Sequence, residues 1–269
     1  MRIATLGPEG TFSHEAVLKY NKSATIIFTE TIRDVFDIVS RKKADLGLVP
    51  IENSIAGTVG QTLDNLIAYN LRIMDEEVSP ISHNLAGFGK ISEIKVLYLH
   101  PQTYEQCEVF IKKNMQKVEI IQTSSNGKSA EIVSREKDKK IGSIIPKIAA
   151  DIYSLSILKK DVQDNRFNVT RFFVISHYDS KKTGYDRTSI AIYPQIDKPG
   201  LLHQFLGEFA KRKINLTKIE SRPSKGKLGD YIFYIDFQGH KTEKHVAEVL
   251  KELEKSAFVT VLGSYPRKY

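Results

Sequence analysis

The chain has 269 residues, 41% of them apolar and 27% charged, enough for a packed core and too apolar for a disordered polymer. A single cysteine excludes a disulfide scaffold, and no apolar run reaches the ~18 residues that a spanning helix needs. The net charge of +8 would suit a nucleic acid, an anionic surface or a small anionic substrate, but the basic residues sit in short clusters such as Arg41-Lys42-Lys43 and Lys211-Arg212-Lys213, at expected element ends. No zinc-finger spacing, RNP-type strand or heptad array accompanies them, so neither nucleic acid nor membrane is expected as a partner. Met1–Gly7 runs straight into a strand pattern without the apolar core of an export signal, which together with the lone thiol predicts a cytoplasmic protein.

In chain order, the spacing predicts a strand over Arg2–Leu6, a helix over Phe12–Tyr20 and a strand over Ala24–Phe28. Thr31, with Asp34 three residues on, reads as the cap of a second helix, and a third strand over Leu46–Val49 is expected to stop at Pro50. Strands at Ile94–Leu99, Val118–Gln122 and Lys140–Ile144 then alternate with helices at Tyr104–Met115, Ser125–Arg135 and from Pro146 through Tyr153. The expectation is an α/β fold with two lobes joined near residues 77–82 and again near Asp161, making a hinged cleft. This first domain is expected to cover residues 1–178, with Tyr178–Asp186 as a linker. Residues 187–269 read strand, helix, strand, strand, helix, strand, the ferredoxin-like βαββαβ order.

Three motifs stand where α/β proteins place sites. Gly7-Pro8-Glu9-Gly10-Thr11-Phe12-Ser13 lies between a strand and a helix and reads either as an anion site or as a capped turn. It has neither the P-loop ending nor the dinucleotide glycine spacing. Glu52-Asn53-Ser54 follows a buried-type strand and offers a carboxyl, an amide and a hydroxyl, or else a polar turn. In Asn168-Val169-Thr170-Arg171-Phe172, strand alternation puts Thr170 and Phe172 on one face and Arg171 on the other. His14, His83 and His100 are too scattered for a metal site. His83 reads as a core histidine and Cys107 as a packed thiol.

Taken together, and with His100-Pro101-Gln102 and Gln106-Cys107, these motifs resemble the prephenate dehydratase family over nearly the whole chain, Leu99 standing where the family often has Ser. Gly200-Leu201-Leu202 and Glu220-Ser221-Arg222-Pro223 resemble the ACT domain attached to that family. The first region is similar in layout to type II periplasmic binding proteins. The resemblance implies a lyase that converts prephenate to phenylpyruvate, water and carbon dioxide in phenylalanine biosynthesis, with no metal or other cofactor. Because the chain starts at the first strand, no chorismate mutase activity is expected. The implied catalytic residues are Thr170, as donor to the departing hydroxyl, Asn53, and Glu52, which would supply a proton if burial raised its pKa. Thr11, Ser54, Gln106, Arg171 and Phe172 are the implied substrate contacts. Phenylalanine is the implied allosteric effector, bound at Gly200 and Leu201 on a helix N-terminus, with Asn215, Glu220, Ser221, Arg222 and Pro223 as the other wall. A partly open sheet face in this domain predicts a homodimer or homotetramer. The alternatives are an arogenate dehydratase and a non-catalytic small-molecule binding protein.

Overall fold

A computed structural model, which describes residues 1–196, 198–224, 226 and 229–269, shows an α/β chain with three sheets. β1 (Arg2–Leu6), α1 (Phe12–Tyr20), β2 (Thr25–Thr29), α2 (Ile32–Ser40) and β3 (Leu46–Asn53) follow the expected alternation. Thr31 and Asp34 cap α2 reciprocally: Thr31 Oγ1 accepts from Asp34 N at 3.1 Å, and Thr31 N donates to Asp34 Oδ2 at 3.0 Å. Such caps are typically worth ~1 kcal/mol. Pro50 does not end β3. The strand runs on to Asn53 because the residues beyond the proline find a new antiparallel partner in β4 (Gly57–Thr58), with Glu52 opposite Thr58 and Asn53 opposite Gly57. α3 (Gly60–Ala68) and β5 (Arg72–Pro80) follow, neither read from the sequence pattern.

The chain then builds β6 (Asn84–Gly87), β7 (Val96–Leu99), α4 (Pro101–Gln106), α5 (Glu108–Asn114), β8 (Glu119–Gln122), α6 (Asn126–Glu136), β9 (Ile141–Ile145), α7 (Lys147–Ile152) and β10 (Ser156–Lys159). The helix expected over Tyr104–Met115 is two helices. Cys107 sits between them at φ −126° and ψ 14°, its thiol packed among Leu97, Leu99 and Ile111. Pro146 is an extended N-cap (ψ 157°) rather than the first helical residue of α7. β11 (Val169–Ser176) returns to the first sheet, whose order is β2-β1-β3-β11-β5; the second sheet is β10-β6-β9-β7-β8. The two crossings between sheets, residues 81–83 and 160–168, run side by side. Ile81 N donates to Asn168 O at 2.8 Å, Val162 N to His83 O at 2.8 Å, and His83 N to Gln163 Oε1 at 2.9 Å.

Two compact units result. One comprises Met1–Val35, Leu48–Val59 and Val78–Phe172; the other comprises Phe36–Gly47, Gly60–Glu77 and Phe173–Tyr269. The second unit carries β12 (Asp186–Pro194), α8 (Leu201–Lys211), β13 (Leu216–Pro223), β14 (Tyr231–Gln238), α9 (Lys244–Leu253) and β15 (Ala257–Pro266), an antiparallel sheet in the order β13-β14-β12-β15. This is the expected βαββαβ arrangement. One face packs against α8 and α9 through Ile190, Ile192, Phe205, Phe209, Ile235 and Phe237.

The other face, expected to stand partly open, is covered within the same unit by α3 and the start of β5. Arg222 holds Asp64 of α3 through two hydrogen bonds of 3.1 Å, and Tyr234 Oη donates to Leu63 O at 3.3 Å. A side chain at Gly263 would fall 2.1 Å from Ile73 O, so only glycine permits that approach. At the centre Arg187 Nη1 meets Glu76 Oε2 at 2.6 Å, both side chains fully buried, with the Tyr269 ring over the guanidinium at 4.4 Å. Removing one partner of such a pair strands the other charge in low dielectric. We expect Glu76→Ala to cost about 3–5 kcal/mol in urea unfolding and Glu76→Leu combined with Arg187→Met to recover much of that loss.

Candidate active site

The three motifs converge in the first unit on a cavity of about 180 Å³, smaller than the roughly 300–1,000 Å³ of drug-sized sites and suited to a small molecule. The first sheet contributes Pro50 and Asn53 from β3 and Thr170 and Phe172 from β11. The crossing contributes Ile81 and His83, and α4 with its cap contributes His100, Gln102, Thr103 and Gln106. Phe12 and Ser13 at the start of α1, Val59, and Asn126 at the start of α6 complete the lining.

Strand alternation sorts the predicted residues of β11. On β11 Thr170 and Phe172 face the cavity, and Arg171 points away to lie 3.8 Å from Glu52 Oε2. On β3 Asn53 faces in and Glu52 does not. The Glu52 side chain is half-buried, 38% exposed. Arg171 and Glu52 therefore form a pair behind the wall rather than part of it. Ser54 is a loop tie: its Oγ donates to Phe167 O and accepts from Val169 N, both at 3.0 Å. Thr11 is the N-cap of α1, accepting from His14 N and donating to Pro8 O. Neither lines the cavity.

Asn53 is the residue most constrained. Its Oδ1 accepts the backbone N–H groups of Ile55 (3.0 Å) and Ala56 (2.8 Å), which only an oxygen can do, so its Nδ2 must face the other way. From there it donates to Asn168 Oδ1 at 2.8 Å and to Thr170 Oγ1 at 2.9 Å. With that lone pair occupied, the Thr170 hydroxyl keeps its own proton for whatever occupies the cavity. Asn168 Nδ2 in turn donates to Gln106 Oε1 at 2.9 Å, which also meets His83 Nε2 at 2.8 Å.

Among the described residues the lining contains no Lys or Arg. The first residues of α1 and α6, Phe12 and Asn126, line the cavity, and helix N-termini favour anions. A side chain at Gly127 would meet Glu9 O at 2.2 Å, so glycine lets the loop before α1 close on the start of α6. The histidines here are held towards neutrality. Burial pushes the pKa of His14, His83 and His100 down from the ordinary 6.5. The backbone N–H groups of Gly10 and Gln102 donate to Nδ1 of His14 and His100, which leaves the proton of each neutral ring on Nε2. Burial also raises the Cys107 thiol far above its usual range, so it supplies no thiolate. His83, His100 and Asn126 were not among the predicted site residues. His100 was legible in the His-Pro-Gln motif, whereas nothing local marks the other two.

The fold and site define a two-sheet α/β protein with a cavity of apolar walls and neutral polar groups between its sheets, and an appended βαββαβ domain. Residues 3–180 match the family described as prephenate dehydratase, and residues 195–255 match the ACT domain. The chain is 44% identical over 270 residues to a bifunctional chorismate mutase/prephenate dehydratase of Aquifex aeolicus, covering 99% of this chain and 74% of that one. It is 41% identical over 271 residues to a prephenate dehydratase of Methanocaldococcus jannaschii, covering 96% of each. A crystal structure of prephenate dehydratase from Arthrobacter aurescens in complex with L-Phe superposes with a TM-score of 0.92 at 33% identity, over 99% of this chain and 90% of that chain. A protein described as a novel type of quorum quenching acylase superposes at 0.91 with 25% identity, over 100% and 98% of the chains. The chain belongs to the prephenate dehydratase family.

A buried histidine with a depressed pKa binds its proton more readily when the chain is unfolded. Its contribution to stability is full above pH 6.5 and is lost as the pH falls from there through the lower folded-state pKa. Urea unfolding between pH 7.5 and 5 is expected to show stability falling with pH, with a shallower fall in His83→Gln.

Proposed function

We infer that the protein converts prephenate to phenylpyruvate, water and carbon dioxide. The observation that carries this reading is the Asn53–Thr170 hydrogen bond, which turns a threonine hydroxyl into an oriented donor at the floor of a neutral cavity. Decarboxylation of prephenate pushes an electron pair through the ring towards the carbon that loses its hydroxyl, and the departing oxygen must take up one proton to leave as water. Thr170 donates a hydrogen bond to that oxygen as its charge develops, the stage at which a preorganised donor accelerates a reaction. The helix N-termini and the neutral amides Gln102 and Asn126 hold the carboxylates without a tight ion pair, which would stabilise the ground state against loss of carbon dioxide. Asn53 orients the donor, and Gln106 and Phe172 shape the wall.

The acylase relative shares the fold, but fold alone does not carry an activity. Among the described residues of the cavity, no Ser or Thr is hydrogen-bonded to a histidine or a carboxylate, as an activated acyl-transfer nucleophile would be.

Phenylalanine is read as the effector of the ACT domain. Gly200 is the N-cap of α8, with φ 82° and no side-chain cap; Leu201 N donates to Lys198 O at 3.2 Å, and the N–H groups of Leu202 and His203 remain for a carboxylate. The predicted second wall is narrower than expected. Along β13, Glu220 and Arg222 share the face turned to α3, so only Ser221, Pro223 and the exposed Asn215 remain for a ligand on the α8 side. Leu201 packs into the core beneath and shapes the site only from below. A homodimer or homotetramer, in which a second copy completes this shallow surface, fits the reading.

The test is formation of phenylpyruvate from prephenate, with arogenate in parallel to assign the preferred substrate. Thr170→Ala is expected to lower kcat by ~10²-fold or more with the fold intact, and Thr170→Ser to retain more activity than Thr170→Ala. Near-normal turnover by the alanine variant removes Thr170 from the mechanism.

A further inference from the structure

We propose that His83, which sequence reasoning places in the core, is a positioning residue for the reaction: its Nε2–H anchors the far end of a one-directional chain of side-chain hydrogen bonds that holds Thr170. The inference rests on the reading of Thr170 as donor to the leaving hydroxyl. Its basis is the polarity of the network. Two backbone donors fix Asn53 with Oδ1 towards Ile55 and Ala56, so its Nδ2 faces Asn168 Oδ1 and Thr170 Oγ1. Asn168 therefore presents Nδ2 to Gln106, and the Gln106 atom that it meets at 2.9 Å is an oxygen. That same oxygen lies 2.8 Å from His83 Nε2, so the imidazole proton must be on Nε2. No freedom remains in the assignment: the direction of every bond from Asn53 to His83 follows from two peptide N–H groups.

The position of His83 explains why it suits the task. It sits on the crossing between the sheets, 2% exposed, its backbone tied to the returning segment through Val162 and Gln163. Phe12 packs edge-on against its ring at 5.1 Å. Gln106 belongs to α4 on the second sheet, whereas Thr170 belongs to the first, so the chain fixes one wall of the cavity against the other. Without the Nε2 donor, Gln106 keeps one partner in place of two. Its amide is then free to turn over, which sets its NH₂ against that of Asn168. The disturbance passes to Asn53 and Thr170, at the end where the reaction needs orientation. His83 Nδ1 has no partner among the described residues, as befits a neutral ring whose single proton is committed to Gln106.

The test compares two variants of similar shape that differ in one donor, made in the full chain. Glutamine at position 83 carries an N–H near the place of Nε2, and methionine carries none. His83→Met is expected to lower kcat for prephenate by about ten- to a hundredfold, the scale of a misplaced reacting group, with a much smaller change in KM. His83→Gln is expected to recover most of that loss. Equal kcat values for the two variants, with circular dichroism showing both folded, overturn the proposal, because a purely structural role responds to the missing ring alike in both. Thr170→Ala runs beside them. If it remains active, the reading of Thr170 fails; if it is inactive while His83→Met turns over normally, only the role of His83 fails. Should the methionine variant not fold, the wild-type ring still decides. Long-range ¹H–¹⁵N spectra are expected to show a neutral imidazole protonated at Nε2, and a ring protonated at Nδ1 overturns the proposal.

Discussion

The orientation of one buried amide governs the cavity. Asn53 accepts two backbone N–H groups through its oxygen, and everything that its nitrogen touches is thereby determined. Those N–H groups belong to the tight return between β3 and β4, so a local turn sets the direction of hydrogen bonds that cross to β11, to α4 and to the crossing between the sheets. Buried polar networks of this kind carry a penalty if any member is left unpaired, and that penalty makes the arrangement a single state rather than a set of alternatives.

The same economy of charge marks the rest of the site. A cavity for a dianion would ordinarily attract Lys or Arg, yet among the described residues its lining holds neither. The starts of α1 and α6 lie at the cavity instead. Peptide N–H groups attract a carboxylate without the full ion pair that would hold it in its ground state, a useful distinction when a carboxylate is to be lost as carbon dioxide. The pairing of Arg171 with Glu52 follows the same division: the one guanidinium next to Thr170 in sequence is turned out of the cavity by the pleat of β11.

In the second unit, polar contacts bury a sheet face that composition alone would leave open. Arg222 reaches back from the end of β13 to Asp64, and its guanidinium occupies the space beside Gly60, where a side chain would lie 2.2 Å from Nη1. The Glu-Ser-Arg-Pro segment is thus committed in part to holding α3.

Much of this was legible in the residues. The alternation of apolar runs and capped helices gave the α/β order, the reciprocal Thr31–Asp34 cap marked α2 within a residue, and period-two alternation separated Thr170 and Phe172 from Arg171, although Arg171 was expected among the substrate contacts and only the structure turned it away from the cavity. The sequence by itself determined most of the local elements, though not α3 or β5, together with the family and the polar side chains brought to the strand ends. It could not show that Pro50 lies inside a strand, since that depends on β4 supplying a new partner, nor that the helix after Pro101 breaks at Cys107, where the backbone leaves the helical region. Only the tertiary structure decided which polar groups meet. It took Glu52 out of the wall, sent Arg222 to Asp64, and drew His83 to Gln106 from 23 residues away. Hydrogen-bond partners separated along the chain are selected by the packing of sheets and helices, and no periodicity in the sequence encodes that selection.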